Sequence, residues 1–137
     1  MTEKRKAREL IQTHGTNSPL DIASDRNIVV LFEDLGKQTW GYYSYTNRIP
    51  VIHINNRLRP EYAIYTGAHE LGHAVLHSGI NTPFLRSSTL FSVDKLERQA
   101  HRLAVHLLIG DNEPVPGESR NHFLKRCGIP DEFHIFY

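Results

Sequence analysis

The chain has 137 residues, 39% of them hydrophobic and 23% charged, which suits one soluble domain built around a single modest core. A formal net charge of +1 excludes the dense basic footprint of a dedicated nucleic-acid binder, and a single cysteine, Cys127, excludes an internal disulfide. No apolar run approaches the roughly 20 residues needed to span a membrane, and the opening MTEKRKAREL lacks the apolar stretch of a secretory signal, so the expected location is the cytoplasm.

Residues 3–14 carry Ala7, Leu10, Ile11 and His14 on one side of a helix that Gly15 ends. The basic residues Lys4, Arg5, Lys6 and Arg8 read as its solvated face. Ser18, Pro19 and Asp21 supply a cap, a first-turn proline and an acid for a second, short helix ending near Ser24. Three β-branched and aromatic runs follow, at 28–32, 39–45 and 49–54, joined by a loop at 34–37 and a turn at Asn47 and Arg48. Such short connections favour an antiparallel meander, with Pro50 tending to put the third run at an edge.

Residues 60–78 are apolar or small on nearly every side, the pattern of a central helix. Gly67 and Gly72 each cost such a helix about 1 kcal/mol relative to Ala, which close approach of another backbone would offset. Residues 79–91 read as a loop. Ser92 can cap a second strong helix, from about 93 to 109, with Leu96, Ala100, Leu103, Ala104 and Leu107 as its buried stripe and Gly110 as its stop. After a loop at 111–117, a short helix near 118–127 precedes an extended tail rich in Phe and Ile.

The central helix carries His69-Glu70-Leu71-Gly72-His73, an H-E-x-x-H motif. Residues four apart lie one turn apart on the same face, so both imidazoles can reach one cation. Glu70 falls beside the ligand row, where it can take a proton from an attacking water. The simpler reading, two incidental histidines, is weakened because polar groups on the best-buried helix need partners or a metal. Nine histidines in the chain point the same way.

A catalytic zinc site needs a third protein ligand. The extended motif with a third histidine is absent, because Leu76 and Gly79 stand at its glycine and histidine positions. Glu97, early in the next long helix, is the leading candidate, with Asp94 one turn earlier as its rival. His101 could hydrogen-bond a ligand or be a satisfied core histidine. His77 lies near the helix C-terminus, where histidine favours the last carbonyls. Tyr62 and Tyr65 read as core, and His53 could face either side of the sheet.

The stretch HELGHAVLH, followed after a loop by LERQAHRLAVHLLI, resembles the ImmA/IrrE family of bacterial and phage metallopeptidases, as does the upstream Ile52-His53-Ile54-Asn55. The likeness spans about residues 5–110. It implies a minimal zincin-like α+β fold, with a small antiparallel sheet of about three strands on the H-E-x-x-H helix and a second ligand helix behind. It implies one Zn2+ held by His69, His73 and Glu97, with Glu70 as catalytic base. It also implies a cytosolic endopeptidase whose substrate is a helix-turn-helix repressor of a phage or mobile element. Departures from the family pattern are His101 for Asn, Leu103 for Phe, Gly110 for Pro, and Gln99 where an acid is common.

The expected organisation is one domain over 1–137, with 111–137 as a C-terminal extension that finishes the core, meets a second subunit or recognises substrate. A metal-stabilised module that docks on a repressor without cleaving it is the alternative function. DNA binding through the basic N-terminus is opposed by the near-neutral charge.

Overall fold

The computed structural model describes residues 2–77, 82–85 and 95–137, with 82–85 as a backbone path. Helices α1 (Thr2–His14) and α2 (Pro19–Asp25) precede strands β1 (Val29–Glu33), β2 (Thr39–Thr46) and β3 (Ile49–Asn55). Then come helix α3 (Pro60–Leu76), strand β4 (Thr82–Leu85), helices α4 (Lys95–Ile109) and α5 (Arg120–Arg126), and a 3₁₀ helix at Asp131–Phe136. The α+β class and the layering of sheet, α3 and α4 agree with expectation. Among the described residues no helix is long and apolar enough to cross a membrane.

Local chemistry sets the element ends. Ser18 caps α2, its Oγ accepting from the Asp21 N–H, and Pro19 occupies the first turn where its missing N–H costs nothing. Asn47 and Arg48 both have positive φ, 54° and 64°, which gives the β2–β3 hairpin the two-residue turn whose twist matches the strands. Along β3, Ile52 and Ile54 are fully buried on the face toward α3, while His53 lies on the opposite face.

The sheet is mixed, with order β1-β3-β2-β4, rather than an all-antiparallel meander. β1 pairs in parallel with β3, from Val29↔Val51 to Glu33↔Asn55, and β2 pairs antiparallel with β3 and β4. β3 is therefore interior, not an edge, and part of the expected 79–91 loop is the edge strand β4. The rest of that stretch, with Ser92, Val93 and Asp94, lies outside the described residues.

Asn55 accounts for the mixed order. The 34–38 connection passes over the end of β3, and the buried Asn55 amide donates to the Gly36 and Thr39 carbonyls at 2.8 and 2.7 Å. Its oxygen accepts from the N–H of Arg57 at 3.1 Å and of Leu35 at 3.4 Å. One side chain thus satisfies the backbone of a crossing that a hairpin would not need. Close packing does the rest. A Cβ on Gly41 would stand 2.5 Å from the His53 carbonyl oxygen, so only glycine fits that point of β2.

The C-terminal tail is helical rather than extended. Pro130 sets its entry, and Phe133 and Phe136, three apart on a 3₁₀ helix, point the same way into the core. Phe123, Leu124 and Ile129 join them in the same apolar cluster as the sheet and α3, so residues 120–136 complete the core.

Candidate metal centre

α3 is buried continuously from Tyr65 to His73, covered by β2 and β3 on one side and by α4 on another. The α3–α4 approach is close because both helices are stripped of side chain at the crossing. A Cβ on Gly72 would lie 3.1 Å from the Ala100 carbonyl oxygen and 3.2 Å from its Cα. That explains Gly72 as expected. Gly67 instead faces the side chains of Leu20 and Ile54.

This crossing brings His69, His73 and Glu97 together. Glu97 sits in the first turn of α4 and spreads its carboxylate over both histidines. Oε2 is 3.0 Å from His69 Nε2, and Oε1 is 2.7 Å from His73 Nε2. The imidazoles have no solvent exposure, whereas the Glu97 side chain is 21% exposed, so the cluster opens to water on that side. Among the described residues His73 Nε2 makes no hydrogen bond despite its short distance to Glu97. Two heavy atoms this close without hydrogen-bond geometry are what two ligands aimed at a common cation produce.

Glu70 is fully buried, and among the described residues neither of its carboxylate oxygens has a hydrogen-bond partner. Burial, with the nearby Glu97 charge added, raises its pKa well above the usual carboxylate range. Burial alone would raise Glu97 too, but the hydrogen bond and charge of His69, with His73 close beside, outweigh it and hold that carboxyl far below its ordinary value. Burial lowers His69 to about 4 against the opposing pull of Glu97. A neutral His69 imidazole beside an ionised Glu97 carboxylate is the protonation state a metal requires, so the donor set fits a divalent ion.

Two further histidines back the cluster. His101, one turn after Glu97, is buried with its Nδ1 hydrogen-bonded to the Tyr65 hydroxyl at 2.8 Å. Its ring stacks on Phe136 at 4.3 Å and lies 4.2 Å from the His69 ring. Donor atoms of His69, Glu97 and His101 all lie within 4.8 Å of one another. His101 is thus a satisfied core histidine that also borders the centre. His77 does not turn to the helix-end carbonyls. Its ring places Nδ1 3.0 Å from His73 Nδ1 and Nε2 2.8 Å from the Gln99 oxygen. The signal was the spacing of four from His73, but side-chain direction decided between the two roles.

The other candidates lie elsewhere. His53, on the outer sheet face, is paired with Glu33, is 3.0 Å from Ser44 Oγ and stacks on Tyr42. Tyr62 donates to Glu132 and packs edge-on against Trp40, so it serves the fold.

A small sheet over an H-E-x-x-H helix, with a glutamate-bearing helix packed behind it, defines a minimal metallopeptidase. The family model described as the IrrE N-terminal-like domain, a peptidase family, matches residues 23–115, and the chain belongs to this ImmA/IrrE family. It is 36% identical over 135 residues to "Metallopeptidase ImmA" of Bacillus subtilis (strain 168), covering 93% of this chain and 78% of that protein. It is 42% identical over 108 residues to "Uncharacterized immunity region protein 2" of Bacillus phage phi105, covering 79% of this chain and 68% of that protein. No solved structure gives a significant match.

Proposed function

We propose that this chain is a zinc-dependent endopeptidase of the cytoplasm, that it works as one domain, and that it cleaves a helix-turn-helix repressor of a phage or mobile element. The observation that carries the reading is the convergence of His73 Nε2 and Glu97 Oε1 without a hydrogen bond between them, beside a buried Glu70 whose carboxylate has no hydrogen-bond partner among the described residues. The repressor substrate is supported by the immunity-region name of one relative and the ImmA name of the other.

His69, His73 and Glu97 would hold the ion. When bound, it supplies Lewis-acid polarisation of a peptide carbonyl. The chain's residues do the rest. Glu70 takes a proton from the attacking water and returns it to the leaving amine, and its raised affinity for a proton suits it to hold one between those steps. Burial of Glu70 and both histidines excludes bulk water from all but the Glu97 side. Among the described strands β4 is the sheet edge beside α3, and an extended substrate can join it as an added strand.

The test is zinc content by elemental mass spectrometry together with incubation against a purified repressor encoded beside the gene. Wild type should carry one zinc and cleave, whereas Glu70→Gln should carry one zinc and leave the repressor intact. Cleavage by Glu70→Gln would reject Glu70 as the base. One observation favours a second reading, a metal-stabilised docking module. His101 stands close enough to add a fourth donor, and closed four-donor sites are structural. Equal relief of repression by wild type and Glu70→Gln would select it.

A further inference from the structure

The two ring nitrogens of His73 have different neighbours, Nδ1 facing His77 and Nε2 facing Glu97. Outermost is Gln99, whose side-chain oxygen lies 2.8 Å from His77 Nε2. An amide oxygen only accepts, so His77 Nε2 is the donor of that bond. In the neutral ring the other nitrogen, Nδ1, then holds a lone pair. His73 Nδ1, 3.0 Å away, must donate to it. That leaves His73 Nε2 without a proton, 2.7 Å from Glu97 Oε1 and in no hydrogen bond. The missing hydrogen bond follows from the proton assignment, since two lone-pair atoms cannot bond each other.

We propose that His77 and Gln99 are positioning residues that lock His73 in the tautomer with its proton on Nδ1, so that Nε2 is presented bare to the metal. This inference rests on the metal reading above. Histidine ligands commonly give their second N–H to a carboxylate or carbonyl, which sets ring and tautomer. Here that acceptor is a second histidine, oriented in turn by an amide that carries no charge. The relay joins the two helices at the site. His73 and His77 sit at the end of α3, and Gln99 lies two residues after Glu97 on α4. The same crossing that sets Glu97 against His73 therefore also sets the tautomer of His73.

Gln99 is the outer acceptor of this relay. A carboxylate at this position would also accept from His77 Nε2–H, so Gln99→Glu should preserve the relay. Gln99→Met, of similar length but with no strong acceptor, should break it.

The experiment has two readouts on the full chain. Long-range proton–nitrogen NMR of histidine-labelled, metal-free protein at pH 8 reports each ring's tautomer. The expected result is His73 protonated on Nδ1 and His77 on Nε2, with the His73 signature lost in His77→Ala. Zinc affinity by competition with a chromophoric chelator is the second. His77→Ala and Gln99→Met should bind about 10–100-fold more weakly than wild type, and Gln99→Glu within a few-fold of it. Metal-free thermal stability of all variants separates this from a merely structural role, which would lower melting temperature without moving tautomer or affinity. If wild type binds zinc tightly and His77→Ala binds it equally, or if metal-free His73 carries its proton on Nε2, the inference falls and the metal reading stands. If wild type shows the expected tautomers yet binds no zinc, the metal reading falls instead and takes the proposed purpose of the relay with it.

Discussion

Glu97 Oε1 stands 2.7 Å from His73 Nε2, yet the two share no hydrogen bond. The first residue belongs to α4 and the second to α3, and their meeting depends on the crossing at Gly72 and Ala100. The proposed donor set therefore spans two helices.

Glu97→Ala should therefore lose metal outright rather than bind it slightly less well. We expect zinc affinity to fall by more than about 100-fold, beyond the 10–100-fold typical of partners one layer further out. Chelator competition on wild type and variant measures it, and a loss under tenfold would remove Glu97 from the ligand set.

Glu70→Gln should stabilise the metal-free protein as well as silence it. The wild-type carboxyl has its folded pKa raised above the unfolded value by burial, so its ionisation opposes folding as pH rises above about 4.5. The gain from Gln should be roughly 1–3 kcal/mol at pH 8 and much smaller at pH 5. Urea denaturation at both pH values, with chelator present, reads this difference. A gain that does not grow with pH would mean that water reaches the Glu70 carboxyl in the folded chain.

Buried histidines act in the opposite sense. His69 titrates at about 4 and His101 at about 2 in the folded chain, against an ordinary 6.5, with burial the main cause for both. The unfolded chain takes up protons first as pH drops, so this stability is whole above about pH 6.5 and is lost on the way down toward about pH 4 for His69 and about pH 2 for His101. In the Glu70→Gln background, where the opposing carboxyl is gone, metal-free stability should fall by about 2–4 kcal/mol between pH 7 and pH 5. A flat profile over that interval would show that the two rings are reached by water.

Asn55→Ala should cost about 2–3 kcal/mol, because it leaves the Gly36 and Thr39 carbonyls and the Arg57 N–H to find other partners at a buried crossing. Asn55→Asp should be as damaging, since a carboxylate has no proton for those carbonyls. Chemical denaturation tests both, and tolerance of either would mean that the crossing is held by β1–β3 pairing alone.

Much of this molecule is determined locally and is therefore readable from the chain. The helix over α3 follows from its periodicity, the cap of α2 from Ser18 and Pro19, and the β2–β3 turn from Asn47 and Arg48. His69 and His73 share a face because 3.6 residues make a turn. Glu97 emerged from the sequence as the leading one of two acids, ahead of Asp94, and family resemblance added to that preference.

Strand order, the role of His77 and the shape of the tail were settled only by tertiary structure. Period-two patterning is the same for a strand paired on either side, so nothing in residues 28–54 distinguishes a meander from β3 inserted between β1 and β2; the hydrogen bonds of Asn55 hold that arrangement. Likewise a spacing of four puts His77 near His73, but Gln99 on another helix determines where its ring points. Spacing along one element is a local quantity, whereas a hydrogen bond across two elements exists only once the core has packed them together.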